Sequence, residues 1–144
     1  MLSLLAGCAG NQAYNDGQAM LGAGHTQQGL ALLEQAAQAE PTNAKYRIAV
    51  TNGRMRALNK LNGAAEALRQ QGNLPEAQAL YRQALTLDPS DDVAQRGMAG
   101  VAQDERHRKL VQEAQASYQR GGEANVAQAQ EALRQVLQER PAQR

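Results

Sequence analysis

An internal repeat is the feature that most constrains how this chain can fold. A shift of 48 residues places the segment that ends at Pro41 on the segment that ends at Pro89, and a further shift of 52 residues reaches a third copy that ends at Pro141. Alanine, leucine and glutamine positions coincide along the aligned copies. A pattern that recurs with the same final proline indicates one structural unit used three times. We therefore expect a stack of similar units rather than a single irregular globule.

The middle copy indicates that the unit is a pair of helices. Gly72 favours the end of one helix, because glycine adopts the left-handed conformation at little cost. Pro75 suits the first turn of the next helix, where its missing N–H is tolerated, and Pro89 ends that helix. Between the two prolines, apolar residues recur at steps of three and four, which predicts one buried helix face. These residues are Ala77, Leu80, Tyr81, Ala84 and Leu87.

Composition and proline spacing favour an all-α fold. The chain has no Trp, no Phe and four Tyr, and its apolar residues are mostly Ala and Leu, which favour helices. No proline lies between Asn43 and Gln71 or between Asp91 and Arg120. We therefore predict two long helices, over about residues 43–71 and 91–120. The alternative is a break in each helix, near Gly53 in the first and near Gly97 or Gly100 in the second.

The middle copy resembles the tetratricopeptide repeat. The resemblance implies an all-α fold in which helical hairpins, here 11–41, 43–89 and 91–141, stack as a short right-handed solenoid within a domain of residues 11–144. The departure is the period, since that family repeats every 34 residues and this chain repeats every 48 or 52. The residues that carry the resemblance are the turn glycine Gly72, then Ala77, Tyr81, Ala84 and Pro89, with Leu61, Ala64, Ala65 and Leu68 at first-helix positions.

In this family the first helices of the hairpins line a concave groove that binds partner peptides. An amide-rich lining suits hydrogen bonding to an extended peptide backbone. The alternative is that these residues are only the polar side of amphipathic helices. Some family members hold a C-terminal carboxylate with Lys, Asn and Arg, and the residues at Tyr14, Gln18 and Glu66 disfavour that mode here. Carried onto this chain, the partner-binding positions are Tyr14, Gln18, Asn59, Asn62, Glu66, Arg69, Lys109, Gln112 and Gln119.

The start of the chain resembles the lipobox of bacterial lipoproteins. Residues 5–8 read Leu-Ala-Gly-Cys and follow a short apolar run. The resemblance implies cleavage before Cys8 and attachment of a diacylglycerol to its thiol, so residues 1–10 would be a signal remnant and lipid-attachment segment. Ala9 after the cysteine fits sorting to the outer membrane. The alternative is that Cys8 is a small buried apolar residue.

The sequence contains little that indicates nucleic-acid binding, metal binding or catalysis. Fifteen Lys and Arg against fourteen Asp and Glu give a net charge of +1, which disfavours a nucleic-acid binder. The basic run at residues 106–109 is interpreted as a solvated helix face, with contact to an acidic partner or lipid surface as the alternative. His25 and His107 are far apart in sequence and are both expected at the surface. No acid, base and nucleophile are matched, so we expect no enzyme activity, no metal and no cofactor.

Together these features predict a non-catalytic periplasmic scaffold tethered to the outer membrane. Residues 44–49, 87–89 and 105–107 resemble the N-terminal region of secretin-type channels of the general (type II) secretion pathway. That resemblance implies partners from a secretion or type IV pilus-like apparatus, with self-association as a further option. The alternatives are a free-standing, pilotin-like lipoprotein with the same repeats and a cytosolic peptide-binding adaptor. Because a repeat array normally ends in a capping helix, we also expect the natural protein to continue after Pro141.

Overall fold

The computed structural model describes the backbone of residues 4–139 and the side chains of residues 9–139. Within that range the chain forms six helices and no strand. Antiparallel pairs form three hairpins, α1 with α2, α3 with α4 and α5 with α6, and consecutive hairpins pack through α2 against α3 and α4 against α5. This confirms the predicted all-α stack of hairpins. The helices are α1 Leu4–Gly22, α2 Thr26–Ala39, α3 Ala44–Gln70, α4 Leu74–Leu87, α5 Asp92–Arg120 and α6 Glu123–Glu139.

Two kinds of turn alternate along the chain. The turns inside the hairpins contain glycines with positive φ, namely +87° at Gly24, +78° at Gly72 and +70° at Gly121. This is the left-handed region that glycine enters without a steric penalty, and it confirms the assignment of Gly72 as a helix end. The turns between hairpins instead end in a capping side chain: Asn43 accepts from the Lys45 amide, and Asp91 accepts from the Ala94 amide at 2.7 Å.

The long helices α3 and α5 are continuous, so the alternative with breaks at their glycines is wrong. These glycines are sites where a neighbouring helix approaches closely. A Cβ on Gly53 would lie 3.0 Å from a methyl carbon of Leu30, and a Cβ on Gly97 would overlap the Tyr81 ring. Gly100 lies beside the Arg69 guanidinium, and a Cβ there would lie 3.2 Å from its Nη1. At Gly97 the small residue is therefore required by packing rather than by backbone conformation.

The first hairpin also depends on close approach at glycine. A Cβ on Gly17 would lie 2.9 Å from the carbonyl oxygen of Gly29, and a Cβ on Gly29 would lie 2.9 Å from the carbonyl oxygen of Gly17. Gly29 stands where the repeat pattern expects alanine, and this contact gives the reason. In this hairpin α1 and α2 lie closer together than an alanine at either position would allow.

The main apolar core lies in the middle hairpin and extends into α5. The predicted face of α4 is confirmed, since Ala77, Tyr81 and Ala84 are buried and Leu80 and Leu87 are partly buried. A smaller cluster joins the first hairpin to α3 through Ala13, Ala36 and Tyr46. Because each cluster contains residues from consecutive hairpins, it is packing between hairpins that orders the stack. The main cluster consists of Ala65, Leu74, Ala77, Tyr81, Ala84, Ala94 and Val101.

Alanine substitutions at two glycines of the long helices should have opposite effects on stability, because only one of these glycines lies in the contact between α4 and α5. Gly97→Ala should lower the free energy of unfolding by about 1–3 kcal/mol, because the added methyl overlaps the Tyr81 ring. Gly63→Ala is the matched control, since a Cβ there meets nothing within 4 Å. It should raise the free energy of unfolding by about 0.5–1 kcal/mol through helix propensity alone. Urea unfolding of both variants checks this, and a Gly97→Ala variant as stable as the native chain would contradict the packing described.

Candidate protein-interaction surfaces

The nine predicted partner-binding residues all lie on the first helices of the hairpins. Tyr14 and Gln18 lie on α1 and are partly buried. The α5 positions are all exposed, and on α3 Asn59 is exposed as well. The other α3 positions are engaged in contacts inside the protein, as described below. The residues whose side chains remain open to solvent are Asn59, Lys109, Gln112 and Gln119.

Asn62 is buried, with 7% of its surface exposed, and it positions the start of α5. Its amide nitrogen donates to both carboxylate oxygens of Asp91, at 3.1 and 3.2 Å. The same carboxylate caps α5 by accepting from the Ala94 amide at 2.7 Å. Asn62 therefore connects the middle of α3 to the N-terminus of the next hairpin, rather than facing a groove.

Glu66 and Arg69 belong to a polar network that joins α3, α4 and α5. Arg69 donates from Nε and Nη2 to Glu66, both at 3.0 Å, and from Nη1 to Asp104 at 2.8 Å. The Tyr81 hydroxyl donates to Glu66 at 3.0 Å, and the Gln70 amide donates to the same carboxylate. All three nitrogens of the Arg69 guanidinium are thus engaged by two carboxylates. The network gives a physical reason, beyond the sequence, why Arg69 is unsuited to holding a partner's carboxylate.

Hydrogen bonds and burial shift the pKa values of two residues in this network, Glu66 and Tyr81. The hydrogen bond from Arg69 is the main cause that lowers the pKa of Glu66 to about 2, and the Gln70 and Tyr81 bonds add to it. Burial, followed by the neighbouring Glu66 carboxylate, raises the pKa of Tyr81 to about 12. Glu66 is therefore ionised, and Tyr81 protonated, over the whole ordinary pH range.

On α1, Tyr14 is held by a second aromatic residue that the repeat pattern did not identify. Its ring stacks on Tyr46 of α3, with the centroids 5.2 Å apart, and the Lys45 ammonium lies 4.2 Å from the Tyr14 ring centroid. Stacking and cation–π contact both favour this arrangement. Tyr14 consequently presents only part of its surface to solvent.

His107 is not a surface residue, and that prediction is wrong. Only 4% of its surface is exposed, and its Nε2 lies 3.0 Å from a carboxylate oxygen of Glu139. This hydrogen bond is the main cause that lowers the pKa of the Glu139 carboxyl. No local signal in the sequence could reveal this burial, because the partner lies 32 residues further on and both neighbours of His107 are exposed arginines. His25 and the rest of the 106–109 run are exposed, as predicted.

The last hairpin exposes apolar side chains. Tyr118 on α5 and Leu133 and Leu137 on α6 are 69%, 44% and 73% exposed. Leu133 and Leu137 align with Tyr81 and Leu85 of the middle repeat, and Tyr81 there is covered by α5. The expectation that a further helix follows Pro141 lies outside the described residues and stays a prediction.

At the N-terminus, α1 runs through the predicted boundary between residues 10 and 11. Gly10 is buried, and a Cβ there would lie 3.0 Å from a Glu40 carboxylate oxygen and 3.5 Å from the Tyr46 ring. The Cys8 side chain, on which the lipid-attachment prediction depends, lies outside the described side chains. From Leu4 to Glu139, no helix combines the length and apolar character that crossing a membrane requires. The same part of the chain contains no group of three His, Cys, Asp or Glu residues able to hold a metal ion.

A groove that sequence reasoning missed lies where α2, α3 and α4 meet. Its volume is about 610 Å³. None of the nine predicted residues lines it, because it is formed by a different side of α3 and by the second helices of two hairpins. The pattern could not reveal it, since its residues come from three segments that only the fold brings together. The lining consists of Gly24, His25, Thr26, Gln27, Gln28, Ala57, Lys60, Leu61, Ala64, Leu80, Gln83 and Leu87.

Comparison with known families agrees with the geometry of the middle hairpin. Residues 59–91 match the family model of the tetratricopeptide repeat. The matched segment covers the second part of α3, the Gly72 turn and all of α4, including the residues that carried the resemblance in the sequence. The chain thus contains a tetratricopeptide repeat, a unit that generally mediates protein–protein interaction and is generally non-enzymatic. Searches of curated proteins and of solved structures found no match to this chain.

The Glu66 network makes the stability of the protein depend on pH. Because the pKa of Glu66 falls from 4.5 to about 2 on folding, its contribution is complete above pH 4.5 and is lost as the pH falls toward 2. Glu66→Gln should therefore be less stable than the native chain at pH 7 by about 1 kcal/mol, a value reduced by partial solvent exposure. The difference should shrink toward zero near pH 2, as measured by urea unfolding over that range.

Glu113→Gln is the matched control for this experiment, since Glu113 is exposed on α5 and forms no ion pair with the described residues. It should change stability little at any pH. A Glu66→Gln variant whose deficit is the same at pH 7 and pH 2 would show that the carboxylate does not carry the interaction.

Proposed function

We propose that this protein is a non-catalytic scaffold that binds other proteins along its stacked helical hairpins. The observation that carries the proposal is the tetratricopeptide repeat at residues 59–91, flanked on both sides by hairpins that pack against it. A stack of this kind presents an extended surface made by side chains from several helices. That surface suits an extended or helical segment of a partner better than a small molecule.

The surface proposed for partner binding follows the first helices. Asn59, Gln112 and Gln119 offer exposed amides, each of which can both donate to and accept from a peptide backbone. Lys109 adds a positive charge on the same helix as the two glutamines. Asn62, Glu66 and Arg69 are already hydrogen-bonded inside the protein. Their contribution to the surface is to fix how α3 and α5 lie relative to each other.

A finer proposal concerns location. The lipobox resemblance at residues 5–8 supports attachment of a lipid at Cys8 and tethering of the protein to the periplasmic face of the outer membrane. In that setting the hairpins serve as a docking module of a secretin-type secretion or type IV pilus-like apparatus. A free-standing lipoprotein of pilotin type has the same anchor and differs in whether channel-forming domains are attached.

Metabolic labelling tests the anchor. Bacteria that express the full natural protein should incorporate radiolabelled palmitate into it, and Cys8→Ala should abolish the label while Ser3→Ala retains it. Residues 1–144 contain one cysteine, so labelling within this segment depends on Cys8. Absence of label in the native protein would contradict the lipoprotein proposal and leave the cytosolic adaptor.

Site-specific photocrosslinking tests the scaffold. A photoreactive residue at Gln112, on the exposed side of α5, should capture a protein of the secretion apparatus in intact cells. The same residue at the exposed Ala79 of α4 is the matched control and should not capture that protein. Equal capture from both positions, or capture from neither, would contradict the proposed partner surface.

A further inference from the structure

The groove between α2, α3 and α4 is an open surface cleft that none of the predicted first-helix positions lines. Its volume of about 610 Å³ falls within the range that ligand-binding clefts occupy. On α3 it is lined by Leu61 and Ala64, which follow Asn59 and Asn62 by two residues and so lie about 200° around the helix from them. The groove is therefore separate from the surface that the first helices present.

The floor of the groove is apolar and held in place by the core. Leu61 and Leu80 are partly buried and pack against the main core cluster with their inner sides. Leu87 is also partly buried, and Ala57, which lines the groove as well, is buried. Ala64 is exposed and small, which leaves the space above the leucines open. Because these side chains are already ordered, a ligand that covers them loses little free energy in fixing them.

The rim of the groove carries positive charge without a compensating acid. Lys60 and His25 are the ionisable residues of the lining, and no Asp or Glu lines it, although the chain has fourteen. Lys60 is exposed and forms no ion pair with any described residue. The first turn of α2 also lines the groove and contains no acidic side chain. The positive end of the α2 helix dipole therefore adds to the positive charge there. The charge of the groove thus complements a carboxylate.

We propose that this groove binds a short segment of a partner protein in which leucine-type side chains alternate with carboxylates. The aliphatic side chains cover Leu61, Leu80 and Leu87, and a carboxylate pairs with the Lys60 ammonium. The exposed amides of Gln27, Gln28 and Gln83 lie at the rim, where they can bond to the backbone of the segment. This second docking surface goes beyond the proposed function, since it requires neither the lipid anchor nor the first-helix surface.

Fluorescence anisotropy with the purified full chain tests the proposal. The probe is a fluorescein-labelled peptide of repeated Asp-Leu-Glu-Leu, compared with its Asn-Leu-Gln-Leu counterpart. The acidic peptide should bind more tightly than the amide peptide. Lys60→Glu and Ala64→Gln should each weaken binding of the acidic peptide about tenfold, the first through charge and the second by filling the groove.

Two variants on the same helix outside the groove are matched controls. Arg47→Glu makes the same change in net charge as Lys60→Glu, and Ala67→Gln makes the same change in size as Ala64→Gln, each at an exposed position. Both should bind the acidic peptide like the native chain, and circular dichroism should show all four variants folded.

Three results would overturn the proposal. The first is no binding of the acidic peptide, and the second is equal loss with Arg47→Glu, which would indicate general electrostatic attraction. The third is self-association of the native chain in light scattering that Ala64→Gln abolishes, which would assign the groove to a second copy. None of these results affects palmitate labelling or crosslinking from Gln112, so failure here and failure of the proposed function are distinguishable.

Discussion

Tyr81 is the residue through which three of the six described helices are joined. Its ring lies on α4 and packs against Gly97 of α5, where any larger residue would overlap it. Its hydroxyl donates to Glu66 of α3, and Glu66 in turn holds Arg69, which reaches Asp104 of α5. One side chain thus combines apolar contact between hairpins with a hydrogen bond to the network that bridges the long helices. The relative position of the middle and last hairpins depends on this combination, because both the packing and the polar contacts meet there.

The helical hairpins and the turn at Gly72 could be predicted because their signals are local. Gly72 and Pro75 act within a few residues of their own position, and the face of α4 follows from three- and four-residue spacing. The glycines of the long helices were ambiguous for a physical reason. Glycine in a sequence indicates either a bend or a close contact, and only the neighbour decides between them. At Gly97 that neighbour is Tyr81, and the helix is continuous.

The candidate surfaces were less accessible to sequence reasoning, because their properties arise from long-range pairs. Asn62 was expected to line a groove, but Asp91, 29 residues away, engages its amide. His107 was expected at the surface, and it is buried against Glu139. The groove beside Lys60 combines α2, α3 and α4 and leaves no pattern in any one of them. The repeat therefore predicts which helices face a partner, whereas the fold decides which side chains remain free to bind it.

The most direct measurement is the contact between the Tyr81 ring and Gly97 in solution. Nuclear Overhauser effects should connect the Tyr81 ring protons with the Gly97 α protons, and the ring current should displace the Gly97 α-proton resonances from the positions typical of a helical glycine. Neither effect is expected for Gly63, which lies on the other long helix with nothing within 4 Å of its side-chain position. Absence of these effects at Gly97, with its α protons at shifts typical of a helical glycine, would contradict the close approach of α4 and α5 on which the stacked arrangement depends.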